Sequence, residues 1–187
     1  MVLLKRGADL VVAALALLLL APLLLLVALA VRLDSPGPVL FRQQRVGLGG
    51  RTFEMLKFRS MVEDAPRLGG YSTASGDPRI TRSGRWLRQL SLDELPQLIN
   101  VLRGDMSLVG PRPDVPAQRS SYSAHEWQQR HRVRPGITGL AQATVRSDAR
   151  PGQRKALDLQ YVREQSLGLD LWILLLTLRQ LLCKGSY

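Results

Sequence analysis

The sequence predicts an α+β protein, mostly helical, joined to a membrane through its N-terminal segment. Three observations carry that expectation. Residues 10–31 are 22 consecutive positions drawn only from Leu, Val, Ala and Pro, enough to cross a bilayer core of ~30 Å at ~1.5 Å rise per residue. VLFRQQRV, GLGG and RTFEMLKFRSM read as two strands around a glycine-rich turn, a small β-hairpin. Several later segments repeat their apolar residues at helical spacing.

Pro22 sits near the middle of the apolar run. It removes one backbone N–H and displaces the carbonyl of Leu18, which kinks or breaks a helix. Lys5 and Arg6 precede the run; Arg32, Arg42 and Arg45 follow it. Positive flanks stay on the cytoplasmic side, so a straight span has no preferred orientation here. A helix that enters, breaks at Ala21-Pro22 and returns to the same face satisfies both flanks. Each arm is then ~11 residues, and the freed carbonyls need partners from protein, since lipid offers none. An ordinary span with a tolerated kink is the other reading. The run is too long for a signal peptide and lacks a small-residue cleavage site, so it is expected to stay attached.

DSPGP (34–38) is turn chemistry and marks the exit from this segment. In the second strand, period two puts Lys57 and Arg59 on one face, with Phe58 opposite; a solvated face is the plain alternative. Residues 63–78 are rich in Gly, Ser, Asp and Pro and read as a loop. Residues 87–104 have helical spacing, interrupted or restarted at Pro96 and stopped by Gly104. Residues 116–133 read as a polar helix, RPGITGLAQ as a turn and a short extended piece, and QRKALDLQYVREQSL as a helix. LDLWILLLTLRQLLC is too short to span; Asp170, Thr177 and Gln180 fall on one side of it and Trp172 favours an interface. The expected element is an amphipathic helix lying in the interface plane, with a buried core helix as the alternative. The expected organisation is 1–33 membrane helix, 34–165 cytosolic domain and 166–187 interfacial helix.

The formal charge is +11, and only Lys5, Lys57, Lys155 and Lys184 are lysines. Arginine is the bidentate partner of phosphate, so the bias points to phosphorylated ligands, anionic lipid or nucleic acid; a codon preference for Arg explains the composition equally well. Cys183 is the sole cysteine, which excludes an intramolecular disulfide and argues against a cysteine metal site.

The pair Asp93-Glu94 lies in an otherwise apolar LxLDELPQLI context. Ser91-Leu-Asp-Glu94 also fits a capping box, a purely structural use. Around it lie Arg79, Arg82, Arg85, Arg88, Arg103 and Arg112. A carboxylate among arginines near a helix start is expected to stay ionised, and the same cations could bind a phosphate. An ionised aspartate facing a phosphoryl group can act as a nucleophile. Two adjacent carboxylates with phosphate oxygens also suit Mg²⁺. Arg112 is held between Pro111 and Pro113, which limits its backbone and aims its guanidinium. His125 and His131 stand six apart, wrong for a shared metal on one helix face, and are expected to be exposed.

KRGADL, SPGPVLFRQQRVG, FEMLKFRSM, DPRITRSGRWLRQLSLDELPQLINVLRGDMSLVGPRP and RPGITGLAQ occur in this order. Together they resemble the bacterial sugar transferase family, specifically its small monotopic phosphoglycosyl transferases, over almost the whole chain. The chain is expected to be the minimal form. The resemblance implies transfer of a sugar phosphate from a UDP-sugar to polyprenyl phosphate at the lipid bilayer, with Mg²⁺ required and no nucleic acid partner. It implies Asp93 as nucleophile, and Glu94 as its partner in metal binding or in assisting the lipid phosphate. Arg88 and Arg112 match phosphate-binding arginines, Lys57 and Arg59 match cations near the site, and Arg79 lies in the same matched block. It also implies the broken re-entrant helix and a monotopic protein at the inner membrane, with its domain on the cytoplasmic face. Many members carry Ser before the proline; here Ala21 stands there. A membrane-tethered basic module for nucleic acid or anionic lipid is the competing reading, and the DE pair among arginines separates the two.

Overall fold

The computed structural model describes residues 2–69, 76–145 and 152–184. Helix α1 (Val2–Asp34) leads into strands β1 (Leu40–Val46) and β2 (Thr52–Phe58), paired antiparallel with Leu40 opposite Phe58 and Val46 opposite Thr52. The turn between them uses Gly49 and Gly50 at φ 66° and 78°, a region that glycine enters without steric cost. Next come α2 (Ala65–Leu68), α3 (Arg82–Gln89), α4 (Gln97–Arg103), β3 (Ser107–Val109) and α5 (Ala124–Arg130). They are followed by β4 (Gly136–Thr138), α6 (Leu140–Thr144), α7 (Gln153–Glu164) and α8 (Leu167–Lys184). The hairpin matches its sequence pattern, and Gly104 ends α4 in the left-handed region, φ 94°. The class is α+β.

The parallel pairing of β3 with β4 has no counterpart in the sequence reading. It depends on close backbone approach: a Cβ on Gly136 would lie 2.0 Å from the Gly110 nitrogen. The helix expected at 116–133 is instead a 3₁₀ segment, Pro116–Ser121, followed by α5. The loop expected at 63–78 lies partly outside the described residues; its described part includes α2.

α1 is assigned as one helix with Pro22 inside it, so helical conformation is not interrupted at Ala21-Pro22. One face of it packs on the domain at both ends. Ala13 joins Met55, Leu98, Val101 and Met106 in one core, while Val27 and Val31 join Phe58 and Leu87 in another. Polar bonds fasten both ends. Lys5 Nζ donates to Asp170 (2.5 Å) and to the Val109 carbonyl, and Asp9 accepts from Ser107 Oγ (2.7 Å). At the other end Asp34 accepts from the Ser83 nitrogen and hydroxyl, both at 2.8 Å. The outer face stays bare: Leu18 and Leu19 are 72% and 77% exposed, and Leu25, Leu26 and Leu29 follow suit.

In α8 the polar side has a definite direction. Asp170, Thr177 and Gln180 share a side, but that side faces the protein. Asp170 binds Lys5 and Tyr161, Thr177 meets Thr138 at 2.7 Å, and Gln180 donates to the Ala143 carbonyl. Ile173 is buried with Val109, Leu140, Ala143 and Tyr161. The outward residues are Leu171, Trp172, Leu174, Leu175 and Leu178. The polar stripe is therefore spent on internal bonds and the apolar stripe is left outside.

Candidate active site

The site is assembled where β2, the turn before α4 and the segment after β3 meet. Asp93 and Glu94 lie in a single 3₁₀ turn, Leu92–Glu94. The expected capping box does not form there. Ser91 takes φ 56°, the sole positive φ of a non-glycine residue among the described residues, and its side chain caps nothing. A left-handed conformation at such a residue costs on the order of 1–2 kcal/mol and clusters at functional sites. A true capping box occurs elsewhere, between Ser123 and Glu126 at the start of α5.

Glu94 Oε1 instead accepts from Lys57 Nζ at 2.7 Å and from Arg112 Nη2 at 3.0 Å. Burial pushes its carboxyl up, but Lys57 and Arg112 outweigh that and hold it far below the usual carboxylate range. Asp93 differs. It is 7% exposed, and burial raises its pKa, opposed first by Lys57 and then by Arg88 and Arg112, with Glu94 adding to the rise. At Asp93 desolvation outweighs the neighbouring cations, so its shift runs opposite to that of Glu94. Arg88 is placed by its Nε bond to Ser60 Oγ, 2.9 Å. That contact requires α3 to lie against residue 60, and Gly84 permits it, since a Cβ there would sit 2.0 Å from the Ser60 carbonyl oxygen.

The structure thus brings together Asp93, Glu94, Lys57, Arg88 and Arg112. Arg59 and Arg79 make their described bonds elsewhere, although Asp77, the partner of Arg79, lies within electrostatic reach of Arg88. Arg59 follows the last residue of β2, and its N–H still donates to the Val39 carbonyl, just before the facing strand begins. It is buried, and its guanidinium donates to the carbonyls of Val31, Ser35 and Pro36, tying the end of α1 to the hairpin. Arg79 pairs with Asp77 at 2.6 Å and donates to the Ala65 carbonyl. Neither Lys57 nor Arg59 belongs to a solvated face.

A cluster absent from the sequence reading stands behind Arg112. Arg130, 4% exposed in its side chain, binds Asp114 and Asp158, the latter at 2.6 Å, and donates to the Arg112 carbonyl at 2.8 Å. His131 joins it, buried against Trp127 with ring centroids 4.1 Å apart; its expected exposure is corrected, while His125 is exposed. A run of polar residues at 116–133 concealed this, because a buried arginine shows no signal apart from its partners.

Among the described residues no group of three or more His, Cys, Asp or Glu could hold a metal ion. Asp93 and Glu94 fit the alternative, a Mg²⁺ bound by one or two carboxylates and completed by substrate oxygens; both cation bonds to Glu94 fall on Oε1.

Comparison with known proteins bears on this arrangement. The chain is 52% identical over 191 residues to a UDP-glucose:undecaprenyl-phosphate glucose-1-phosphate transferase of Caulobacter vibrioides, covering 97% of this chain and 71% of that protein. It is 51% identical over 189 residues to an undecaprenyl-phosphate glucose phosphotransferase of Komagataeibacter xylinus, covering 94% of this chain and 35% of that one. It is 44% identical to the exopolysaccharide production protein PSS of Rhizobium leguminosarum, covering 98% and 97% respectively. The chain therefore spans about a third of the Komagataeibacter relative and nearly all of the Rhizobium one. The bacterial sugar transferase family matches residues 1–184, which include every residue of the Asp93 site; the chain belongs to that family.

Proposed function

We propose that the chain moves a sugar 1-phosphate, with glucose the first candidate sugar, from a UDP-sugar to undecaprenyl phosphate. The products are the lipid diphosphate sugar and UMP. The observation that carries this reading is the buried Asp93 beside a Glu94 already neutralised by Lys57 and Arg112, in a family whose relatives are named for that transfer.

Asp93 is the nucleophile. A carboxylate oxygen attacks the β-phosphorus, the bond from that phosphorus to the bridging oxygen breaks, and UMP departs. A phosphate oxygen of the lipid then attacks the same phosphorus and displaces the Asp93 carboxylate. Desolvation suits this role, because a poorly solvated carboxylate has less hydration to lose on attack. Lys57 and Arg112 hold Glu94 beside Asp93, and with Arg88 they supply positive charge where the diphosphate must sit. Asp93 and Glu94 are the residues that would hold Mg²⁺, which when bound neutralises diphosphate charge. Two substrates visiting one carboxylate in turn give ping-pong kinetics.

The proposed setting is the cytoplasmic face of the inner membrane, without a nucleic acid partner. α1 is long and apolar enough to cross a bilayer by length and composition. Both of its ends are nevertheless bonded to one polar domain, through Lys5 and Asp9 at one end and Asp34 at the other. That favours a helix bent at Pro22 with both flanks on one side. The bare apolar faces of α1 and α8 supply the lipid contact.

The test supplies the protein in detergent or nanodiscs with Mg²⁺, undecaprenyl phosphate and a panel of UDP-sugars, and measures UMP. Wild type releases UMP and Asp93→Asn does not. Intact-mass analysis of enzyme given UDP-sugar alone finds one phosphosugar on Asp93. UMP release at the wild-type rate by Asp93→Asn removes the nucleophile; salt-sensitive nucleic acid binding without turnover favours a binding module instead.

A further inference from the structure

We propose that Arg130 is a positioning residue for Arg112, acting through the Arg112 backbone. Pro111 and Pro113 lack N–H groups, so this short segment is held mainly by its carbonyls. Each has a donor: Gly136 N to the Pro111 oxygen (3.0 Å), Arg130 Nη2 to that of Arg112 (2.8 Å), Arg45 Nη1 to that of Pro113 (2.9 Å) and Val46 N to that of Asp114 (2.9 Å). The donor at Arg112 itself is a buried guanidinium. Its Nε and Nη2 are braced by Asp158 on α7, at 3.2 and 2.6 Å, and its Nη1 by Asp114. Tyr122 closes the group through its hydroxyl bond to Asp114, 3.2 Å, with its ring 5.6 Å from the Arg130 guanidinium carbon.

Only a planar fork serves three acceptors in this way; a lysine ammonium on a flexible stem cannot reproduce its geometry. The Arg112 side chain is itself 49% exposed where it reaches Glu94, so a fixed backbone narrows the directions it can take. α5 and α7 therefore limit the direction of a cation whose contact lies on the opposite side of the segment.

The test has two arms, and only the kinetic one rests on the transferase reading. In the first, Arg130→Lys lowers kcat/KM for the UDP-sugar about tenfold, yet lowers it no further when Arg112 is already Ala, because coupled residues do not add. In the second, hydrogen exchange read by mass spectrometry rises in residues 109–115 of Arg130→Lys and stays at the wild-type rate in residues 52–58. Additive losses, unchanged exchange at 109–115, or a uniform rise across the chain each overturn the proposal. Should Arg130→Lys not fold, Asp158→Asn keeps the guanidinium, removes one brace and is read by the same two arms. A wild type that releases no UMP defeats the transferase reading and leaves the exchange arm to decide this one.

Discussion

Two charge clusters lie on either side of Arg112 and are built to opposite ends. On one side, Lys57, Arg88 and Arg112 face Asp93 and Glu94, three cations against two carboxylates. On the other, Arg130 bridges Asp114 and Asp158, with Arg45 and Arg154 within electrostatic reach of those carboxylates. The first opens to solvent at Arg112, which is half exposed; the second pairs its charges inside the protein and is closed. On the proposed function, an anionic substrate completes the first. The second is complete within the chain, and its function is to hold geometry. The same residue types are thus arranged openly in one cluster and sealed in the other.

The sharpest way to break this contrast is Asp93→Asn. Turnover falls at least about 10³-fold, as expected for loss of a nucleophile, while thermal stability rises. The sign follows from the raised folded pKa of Asp93. Between its unfolded and folded pKa values the folded state binds more protons, so stability declines as pH climbs and the charged form is a burden above both. Removing that charge should raise stability by about 1 kcal/mol, measured by denaturant melts at pH 7.

Arg130→Met probes the closed cluster. It leaves two buried carboxylates facing each other and should cost about 3–4 kcal/mol, a loss that shrinks on acidification as they take up protons. Equal loss at pH 5 and pH 8 would deny the cluster its electrostatic basis. Lys57→Met strikes the open cluster from the side. It removes the largest opposing influence on Asp93, so kcat/KM falls about 10²-fold and the acid limb of the pH profile moves to higher pH; an unmoved limb separates Lys57 from Asp93. Smallest is Ser91→Gly. Relief of the left-handed backbone should add about 1 kcal/mol of stability, with little change in turnover if the 3₁₀ turn survives.

The sequence exposed the parts of this molecule whose signals are local. The hairpin is written in alternation and glycine, the end of α4 in Gly104, and the candidate pair in two carboxylates among apolar residues. What it concealed depends on long-range contact. β3 and β4 are three residues each, and their parallel pairing has no turn to announce it. The Ser91 box satisfied a pattern that the backbone then declined, because Glu94 had stronger partners in Lys57 and Arg112. Arg59 looked like a site cation by strand parity but stands one step beyond the strand. The stripe on α8 was visible, but periodicity cannot say which side faces water.

The bond between Lys5 and Asp170 joins positions 165 apart, and this has a consequence for biosynthesis. A ribosome delivers the apolar helix first and its acidic partner more than a hundred residues later. Until that aspartate emerges, the lysine can pair only within its own helix, with Asp9 one turn on, so the clasp to α8 closes last. The helix comes early and its clasp late, an order imposed by chain direction alone.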